Sequence, residues 1–232
     1  MTKVMCARSM TAAVNTLSAN FVRDAGKPAP EIVFGTVGAL QAKIAAGETA
    51  DVLVLGAPTI ATMERACTLL AGTGRAIART SIGVAVRQGA PAPDLSTAEA
   101  FTQALRAARS IAFSDAAVGG SAGVHLAALW GRIGMAEEIA RKGMPQKSGA
   151  EVAARVAEGA ADLGLTLIAE ILTVPGVRVA GKLPPPFGND TTYAAGISAG
   201  AVDRAAAEAF IDALVHPSAR AVWAAAGFEP PQ

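Results

Sequence analysis

Small residues and glycines cluster in one segment of the chain, which reads VGGSAGVH from Val118 to His125. An apolar strand candidate precedes it and an apolar helix candidate follows it. Glycine lets backbone N–H groups approach a ligand closely, and the N-terminus of a helix favours negative charge. The segment therefore predicts an anion-binding turn with contacts from Gly120, Ser121 and Ala122. A tight strand-to-helix connection that binds nothing is the alternative interpretation.

Two other segments of this kind place a positive charge beside a serine. Arg8 directly precedes Ser9 after the first strand candidate, and Lys147 directly precedes Ser148 and Gly149 before a helix candidate. Arginine can hold a carboxylate with two parallel hydrogen bonds, whereas lysine acts as a point charge. These residues predict a site for a small anion, and the alternative is that both cations are ordinary surface residues.

Composition excludes several other classes of site. A formal net charge of +1 gives no reason to expect a nucleic-acid partner. Cys6 and Cys67 lack metal-ligand spacing and the chain has 2 histidines, so we expect no metal and no cofactor. The glycine turn lacks G-x-G-x-x-G spacing, and no Walker sequence or catalytic triad is present.

The N-terminus and the hydropathy pattern predict the compartment. We find neither a secretory signal nor an apolar run of the roughly 18 residues that a membrane-spanning helix needs. We therefore expect a cytoplasmic protein with no membrane segment, or a periplasmic one if an export signal has been removed.

Short apolar strand candidates alternate with amphipathic helix candidates along the whole chain. This alternation predicts an α/β fold with a mostly parallel sheet, in which ligands bind at the carboxyl ends of the strands. The strand candidates are 3–7, 31–34, 51–55, 82–86, 110–113, 162–167, 177–179 and 193–198. The segments 144–149 and 182–190 are predicted to be loops.

Six short motifs, in this order, resemble those of one known family. They read RSMTAA from Arg8, FGTVGAL from Phe34, IAAGETADVLV from Ile44, SAG from Ser121, GAADLG from Gly159 and AAGF from Ala225. The chain resembles class II periplasmic solute-binding proteins, specifically the molybdate-binding (ModA-like) branch. The resemblance covers nearly the whole chain.

The resemblance implies a two-lobed Venus flytrap fold. Each lobe would be a mixed, mostly parallel sheet flanked by helices, with the ligand cleft between the lobes. Lobe one would comprise residues 1–80 plus 196–232, and lobe two residues 81–195.

The resemblance also implies a set of ligand contacts. Molybdate binders hold the oxyanion with backbone N–H groups, two serine hydroxyls and a tyrosine hydroxyl. The first serine corresponds to Ser9, the second to Val37, and the tyrosine to Leu167; the N–H groups correspond to Ala122 and Gly149. Because two hydroxyl donors are missing, a buried oxyanion would lack partners, and we expect an organic carboxylate instead.

The turn after the second strand candidate completes this set of expected contacts. Thr36, Val37 and Gly38 form that turn, and Val37 with Leu167 would provide an apolar wall for a carbon skeleton. The expected partner is therefore a small anionic ligand, with a membrane permease as a second partner only if the protein is exported.

A cytoplasmic isomerase is the alternative function, because the branch includes an aconitate isomerase. Such an enzyme would shift a double bond within an unsaturated di- or tricarboxylate and would need a base near the reacting carbon. His125 is the predicted base, and packing is its alternative role. Asp115, Glu170 and Tyr193 are further candidates.

Overall fold

The computed structural model describes residues 1–231, which form two compact α/β units. Unit 1 contains Met1–Arg79 and the chain from Thr191 onward, and unit 2 is Thr80–Asp190. The predicted lobe boundaries were 80/81 and 195/196. The mixed α/β class predicted from the alternation of strands and helices is confirmed.

Helices and strands alternate along most of the chain. The strands are β1 (Lys3–Ala7), β2 (Glu31–Gly35), β3 (Val52–Gly56), β4 (Arg75–Arg87), β5 (Ile111–Ser114), β6 (Gly143–Gln146), β7 (Leu163–Leu167), β8 (Val177–Lys182) and β9 (Asp190–Ile197). The helices are α1 (Thr11–Ala25), α2 (Val37–Ala45), α3 (Ala57–Arg65), α4 (Ala98–Ala107), α5 (Ser121–Arg132), α6 (Ala136–Lys142), α7 (Gly149–Ala157), α8 (Ile168–Ile171), α9 (Arg204–Val215) and α10 (Arg220–Ala225). Short 3₁₀ turns lie at Arg8–Met10, Ala116–Val118 and Pro217–Ala219.

The sheet of unit 1 has the strand order β2-β1-β3-β9. Strands β1, β2 and β3 run parallel, so their carboxyl ends share one edge, and β9 runs antiparallel to β3. Apolar side chains from the strands, α2 and α3 pack into one core; they include Met5, Leu40, Leu53, Leu55, Ile60 and Leu69. This core fixes the turns that follow β1 and β2 relative to each other.

The sheet of unit 2 has the order β6-β5-β7-β4, with β8 also paired to β4. Strands β5, β6 and β7 are parallel, and β4 runs antiparallel to β7 and β8. The core contains Phe101, Leu105, Ile111, Leu126, Leu129 and Leu165 among others. The predicted glycine turn follows β5, and the predicted turn with Lys147 and Gly149 follows its parallel neighbour β6.

An aspartate ties together the starts of two parallel strands in each unit. Asp51, just before β3, accepts hydrogen bonds from the N–H groups of Lys3 and Val202, both at 2.8 Å. Asp162, just before β7, accepts from the backbone N–H of Arg109, near the start of β5, at 2.8 Å. The aspartates of the motifs at 44–54 and 159–164 are therefore structural residues.

Two predicted elements differ from the structure. The predicted loop 144–149 contains strand β6, whose Pro145 lies opposite Phe113. Strand β6 is at the sheet edge, where a residue without an N–H is tolerated. Strand β4 begins at Arg75 instead of residue 82, because the charged residues Arg75 and Arg79 interrupt the apolar pattern that marked the strand.

Candidate functional site

In unit 1 the turn after β1 presents Ser9 next to the single tyrosine of the chain. Ser9 Oγ lies 2.7 Å from the hydroxyl of Tyr193 on β9, and Tyr193 is 2% exposed. Its ring packs edge-on against Phe228, with the ring centroids 6.1 Å apart. Sequence reasoning placed the tyrosine position of the site at Leu167, and it missed Tyr193 as the partner of Ser9.

The guanidinium of Arg8 and the ammonium of Lys147 are both exposed. Within residues 1–231 neither side chain forms a hydrogen bond or an ion pair. Both cations are therefore available to an anion, and both also fit the description of ordinary surface residues.

The turn after β2 uses its hydroxyl locally. Thr36 is the N-cap of α2 and its Oγ1 accepts a hydrogen bond from the N–H of Ala39 at 3.2 Å. Val37 is partly buried and packs against the core of unit 1, and Gly38 follows in the first turn of α2. The N–H groups of this turn remain expected contacts, and the hydroxyl of Thr36, which accepts from Ala39, still has its own proton to donate.

In unit 2 the glycine turn leads to a helix without a side-chain cap. Asp115 caps the 3₁₀ turn by accepting from the N–H of Ala117 at 2.9 Å, and Gly119 has a φ of +67°. Helix α5 then starts after Gly120, and no side chain caps it. A Cβ on Gly123 would lie 2.4 Å from the carbonyl oxygen of Asp115, so only glycine permits this close packing.

The start of α7 differs from that of α5, because side-chain oxygens of the protein accept hydrogen bonds from its N–H groups. Ser148 Oγ accepts from the N–H of Glu151 at 3.3 Å, and Glu151 accepts from the N–H of Lys147 at 3.1 Å. Gly149 donates its N–H to the carboxylate of Glu170 at 3.3 Å. A ligand at Gly149 would therefore compete with a carboxylate of the protein itself.

His125 has a structural hydrogen bond. Its Nε2 lies 2.9 Å from the carbonyl oxygen of Phe187, and because a carbonyl only accepts, Nε2 carries the proton. The bond ties α5 to the 183–189 segment, whose Phe187 also packs against Phe101. This geometry supports the packing role, and the proposed catalytic role of His125 stays a prediction.

Leu167 ends β7 with its side chain in the core of unit 2, 4% exposed. Its role as an apolar wall also stays a prediction. The described residues contain no group of three or more His, Cys, Asp or Glu side chains arranged to hold a metal ion. None of the helices in residues 1–231 is long and apolar enough to span a membrane.

The two α/β units, with glycine and serine turns at the carboxyl ends of their parallel strands, define a ModA-like class II solute-binding fold. The chain belongs to the family described as bacterial extracellular solute-binding protein, whose model matches residues 2–229. The family assignment made from the six motifs is therefore confirmed.

Individual relatives differ in what their names say they bind or do. An aconitate isomerase from a Pseudomonas species is 29% identical over 195 residues, which cover 83% of this chain and 72% of the relative. The periplasmic molybdate-binding protein of Azotobacter vinelandii is 22% identical, with a TM-score of 0.80 over all of both chains. PEB3 of Campylobacter jejuni, solved with L-phospholactate bound, is 13% identical, with a TM-score of 0.73 and full coverage of both chains. The structural matches show the fold alone.

Proposed function

We propose that this protein binds a small organic carboxylate through helix N-termini, Ser9, Arg8 and Lys147. The observation that carries the proposal is the start of α5, which has no side-chain cap and follows β5 at the carboxyl edge of unit 2. The other two helices of at least nine residues in unit 2 begin with side-chain caps, Thr97 for α4 and Ser148 for α7. An uncapped helix N-terminus offers N–H donors and a favourable dipole to an anion.

Two features of the described residues favour an organic ligand over an inorganic one. Val124, in the first turn of α5, is 56% exposed and offers an apolar side chain on the helical turn that carries the N–H groups. Arg8 and Lys147 supply unpaired positive charges, which suit a ligand with more than one carboxylate. A carbon skeleton with several carboxylates would use both kinds of contact.

Molybdate fits the described residues less well. Val37 and Leu167 lack the hydroxyls that the resemblance requires at their positions, and the N–H of Gly149 already pairs with Glu170. The hydroxyl of Tyr193, beside Ser9, replaces one of the two missing hydroxyl donors. A tetrahedral oxyanion would still lack the second hydroxyl and the N–H of Gly149, at a cost in free energy.

Isothermal titration calorimetry with a ligand panel tests this proposal. We expect at least one di- or tricarboxylate, with aconitate and its saturated and unsaturated analogues as probes, to bind with a micromolar Kd, or about −8 kcal/mol. Sulfate and molybdate serve as the inorganic comparators and should bind at least tenfold more weakly. Tight molybdate binding would overturn the argument from Val37, Leu167 and Gly149.

An allylic isomerase is the second candidate function, favoured by the similarity to an aconitate isomerase over 83% of this chain. A base would take a proton from the carbon beside the double bond, and that C–H electron pair would form the new double bond. The far carbon of the old double bond would take up a proton as its π electrons move there. N–H groups at the start of α5 would stabilise the charge that develops on the adjacent carboxylate.

Deuterium exchange separates a binder from an isomerase. An isomerase incubated with an unsaturated tricarboxylate in D₂O incorporates deuterium at carbon, which proton NMR detects as signal loss. His125→Gln keeps an N–H for the carbonyl of Phe187 and removes the remaining basic nitrogen, so it tests the predicted base directly. Binding without exchange in the wild-type protein would leave only the binding function.

The compartment and the macromolecular partner also remain proposals. A receptor for an importer would act outside the cytoplasmic membrane and would require a permease, whereas an isomerase would act on its substrate alone. Cell fractionation with an antibody to the native protein distinguishes the two locations.

A further inference from the structure

Glu170 places a carboxylate of the protein where an external anion would bind at α7. Its Oε1 accepts the N–H of Gly149, the first residue of α7, at 3.3 Å, and its Oε2 accepts the hydroxyl of Thr166 at 3.1 Å. Gly149 follows β6 and Thr166 lies near the end of β7, and these two strands flank β5 in the sheet of unit 2. A side-chain carboxylate therefore uses the N–H that the resemblance assigned to the ligand.

A buried hydroxyl chain holds this carboxylate in place. Thr166 is 0% exposed, and its Oγ1 lies 2.8 Å from Oγ of Ser114 at the end of β5. Because Thr166 donates its proton to Glu170, Ser114 donates to Thr166. The carboxylate is thus connected by hydrogen bonds to the ends of β5 and β7 and to the start of α7.

The residue at position 149 shows how closely Glu170 approaches α7. A Cβ at Gly149 would lie 2.2 Å from Oε2 of Glu170 and 2.3 Å from Oγ1 of Thr166. Any larger residue would push the carboxylate away from the helix, so glycine here is a requirement of the Glu170 position. The φ angle of Gly149 is not positive, so backbone conformation does not explain why glycine stands at this position.

We infer that Glu170 is a resident anion that closes the N-terminus of α7 and thereby sets the ligand selectivity of unit 2. This inference rests on the proposed function. With α7 occupied by Glu170, the start of α5, which has no side-chain cap, is the turn of unit 2 that we expect to contact a planar carboxylate. An inorganic oxyanion that requires N–H groups from both turns meets a negative charge at one of them.

Removing the carboxylate should convert α7 into an anion site. In Glu170→Ala the N–H of Gly149 and the hydroxyl of Thr166 lose their acceptor, and added formate or sulfate can replace it. We expect the melting temperature of this variant to rise with formate concentration more steeply than that of the wild type. We also expect its calorimetric affinity for sulfate or molybdate to rise by roughly tenfold or more.

Glu170→Gln is the matched control. Glutamine keeps the size of the side chain and an oxygen that accepts from Gly149, so α7 stays occupied and the oxyanion affinity should rise less than in Glu170→Ala. Glu170→Ser, whose hydroxyl is too short to reach Gly149, repeats the test if the alanine variant does not fold.

The outcomes separate this inference from the proposed function. A loss of stability in Glu170→Ala and Glu170→Ser without any gain in oxyanion affinity or formate response would mean that Glu170 only caps α7, and would overturn the inference. A wild-type protein that binds no carboxylate in the same calorimeter would contradict the proposed function, whatever the variants do.

Discussion

At the scale of single residues, the candidate site in unit 1 is defined by the hydroxyl pair of Ser9 and Tyr193. Ser9 follows β1, and Tyr193 lies on β9, which pairs with β3 and so comes near the turn after β1. Local sequence could place Ser9 because its turn follows an apolar strand. It could not place Tyr193, since the pairing of β9 with β3 depends on contacts between distant parts of the chain.

Substitutions at Arg8 and Lys147 test whether positive charge contributes to carboxylate binding. We expect Arg8→Ala and Lys147→Ala each to weaken carboxylate binding by about 1.5–3 kcal/mol, the usual contribution of a hydrogen bond to a charged group. Calorimetry with the tightest ligand of the panel measures this loss. Arg220→Ala and Lys27→Ala remove exposed cations of the same two types at other positions, both in unit 1, and should leave the affinity unchanged. Equal affinities in all four variants would show that Arg8 and Lys147 are ordinary surface residues that do not contact the ligand.

Ser9 tests the hydroxyl pair. Ser9→Ala removes one ligand donor and one partner of Tyr193, so we expect carboxylate binding to weaken by roughly 1 kcal/mol while the fold is kept. Ser218→Ala, at an exposed serine that pairs with His216, is the control. Calorimetry at equal protein concentration compares the variants, and an unchanged Kd for Ser9→Ala would remove Ser9 from the site.

At the scale of elements, both units use an aspartate to align the starts of parallel strands. Asp51 and Asp162 come directly before β3 and β7, and each accepts a backbone N–H from the start of the neighbouring strand. The motifs that carry these aspartates helped to identify the family, yet the residues support the fold. Their position at the amino ends of the strands also separates them from the turns at the carboxyl ends.

Asp51 is the more buried of the two aspartates. Asp51→Ala leaves the N–H groups of Lys3 and Val202 without their acceptor. A donor that stays shielded from water costs about 1–3 kcal/mol, and because Val202 is 95% exposed, the cost falls mainly on Lys3. We therefore expect a clear fall in the free energy of unfolding measured with urea. Asp24→Ala, which removes an exposed ion pair with Arg23, should change the free energy of unfolding little. A similar small effect for both variants would contradict the structural role of Asp51.

Asp162 predicts a pH dependence of stability. Hydrogen bonds from the Arg109 side chain hold the pKa of Asp162 below its ordinary value, although partial burial opposes the shift. A lowered pKa in the folded state adds stability above the unfolded pKa, and that stability is lost as the pH falls through the folded pKa. We expect Asp162→Asn to be destabilising at pH 7 and the difference from wild type to shrink below about pH 4. A difference that is constant with pH would show that the carboxylate charge is not involved.

Most of the strands and helices could be predicted from local sequence patterns. Apolar runs and capping residues predicted most strands and helices, because burial and local hydrogen bonds determine them. Strand β6 was missed because Pro145 is usual in loops and is tolerated only at a sheet edge. The contact between Glu170 and Gly149 was missed because it joins residues after two different strands.

At the scale of the whole molecule, the chain combines two α/β units with separate cores. The family and fold follow from six short motifs, whereas relatives of the same fold differ in what their names say they bind or do. A ligand that binds only the native protein should raise its free energy of unfolding by about 2.7 kcal/mol at 100 times the Kd. A scan of melting temperature against the carboxylate panel should therefore rank the ligands in the same order as calorimetry.

The most direct test is a calorimetric titration of the full chain with a tricarboxylate such as aconitate, with and without excess molybdate. We predict saturable micromolar binding of the tricarboxylate and little change in its apparent Kd when molybdate is present. Tight molybdate binding that displaces the tricarboxylate, or no heat from any carboxylate, would contradict the account.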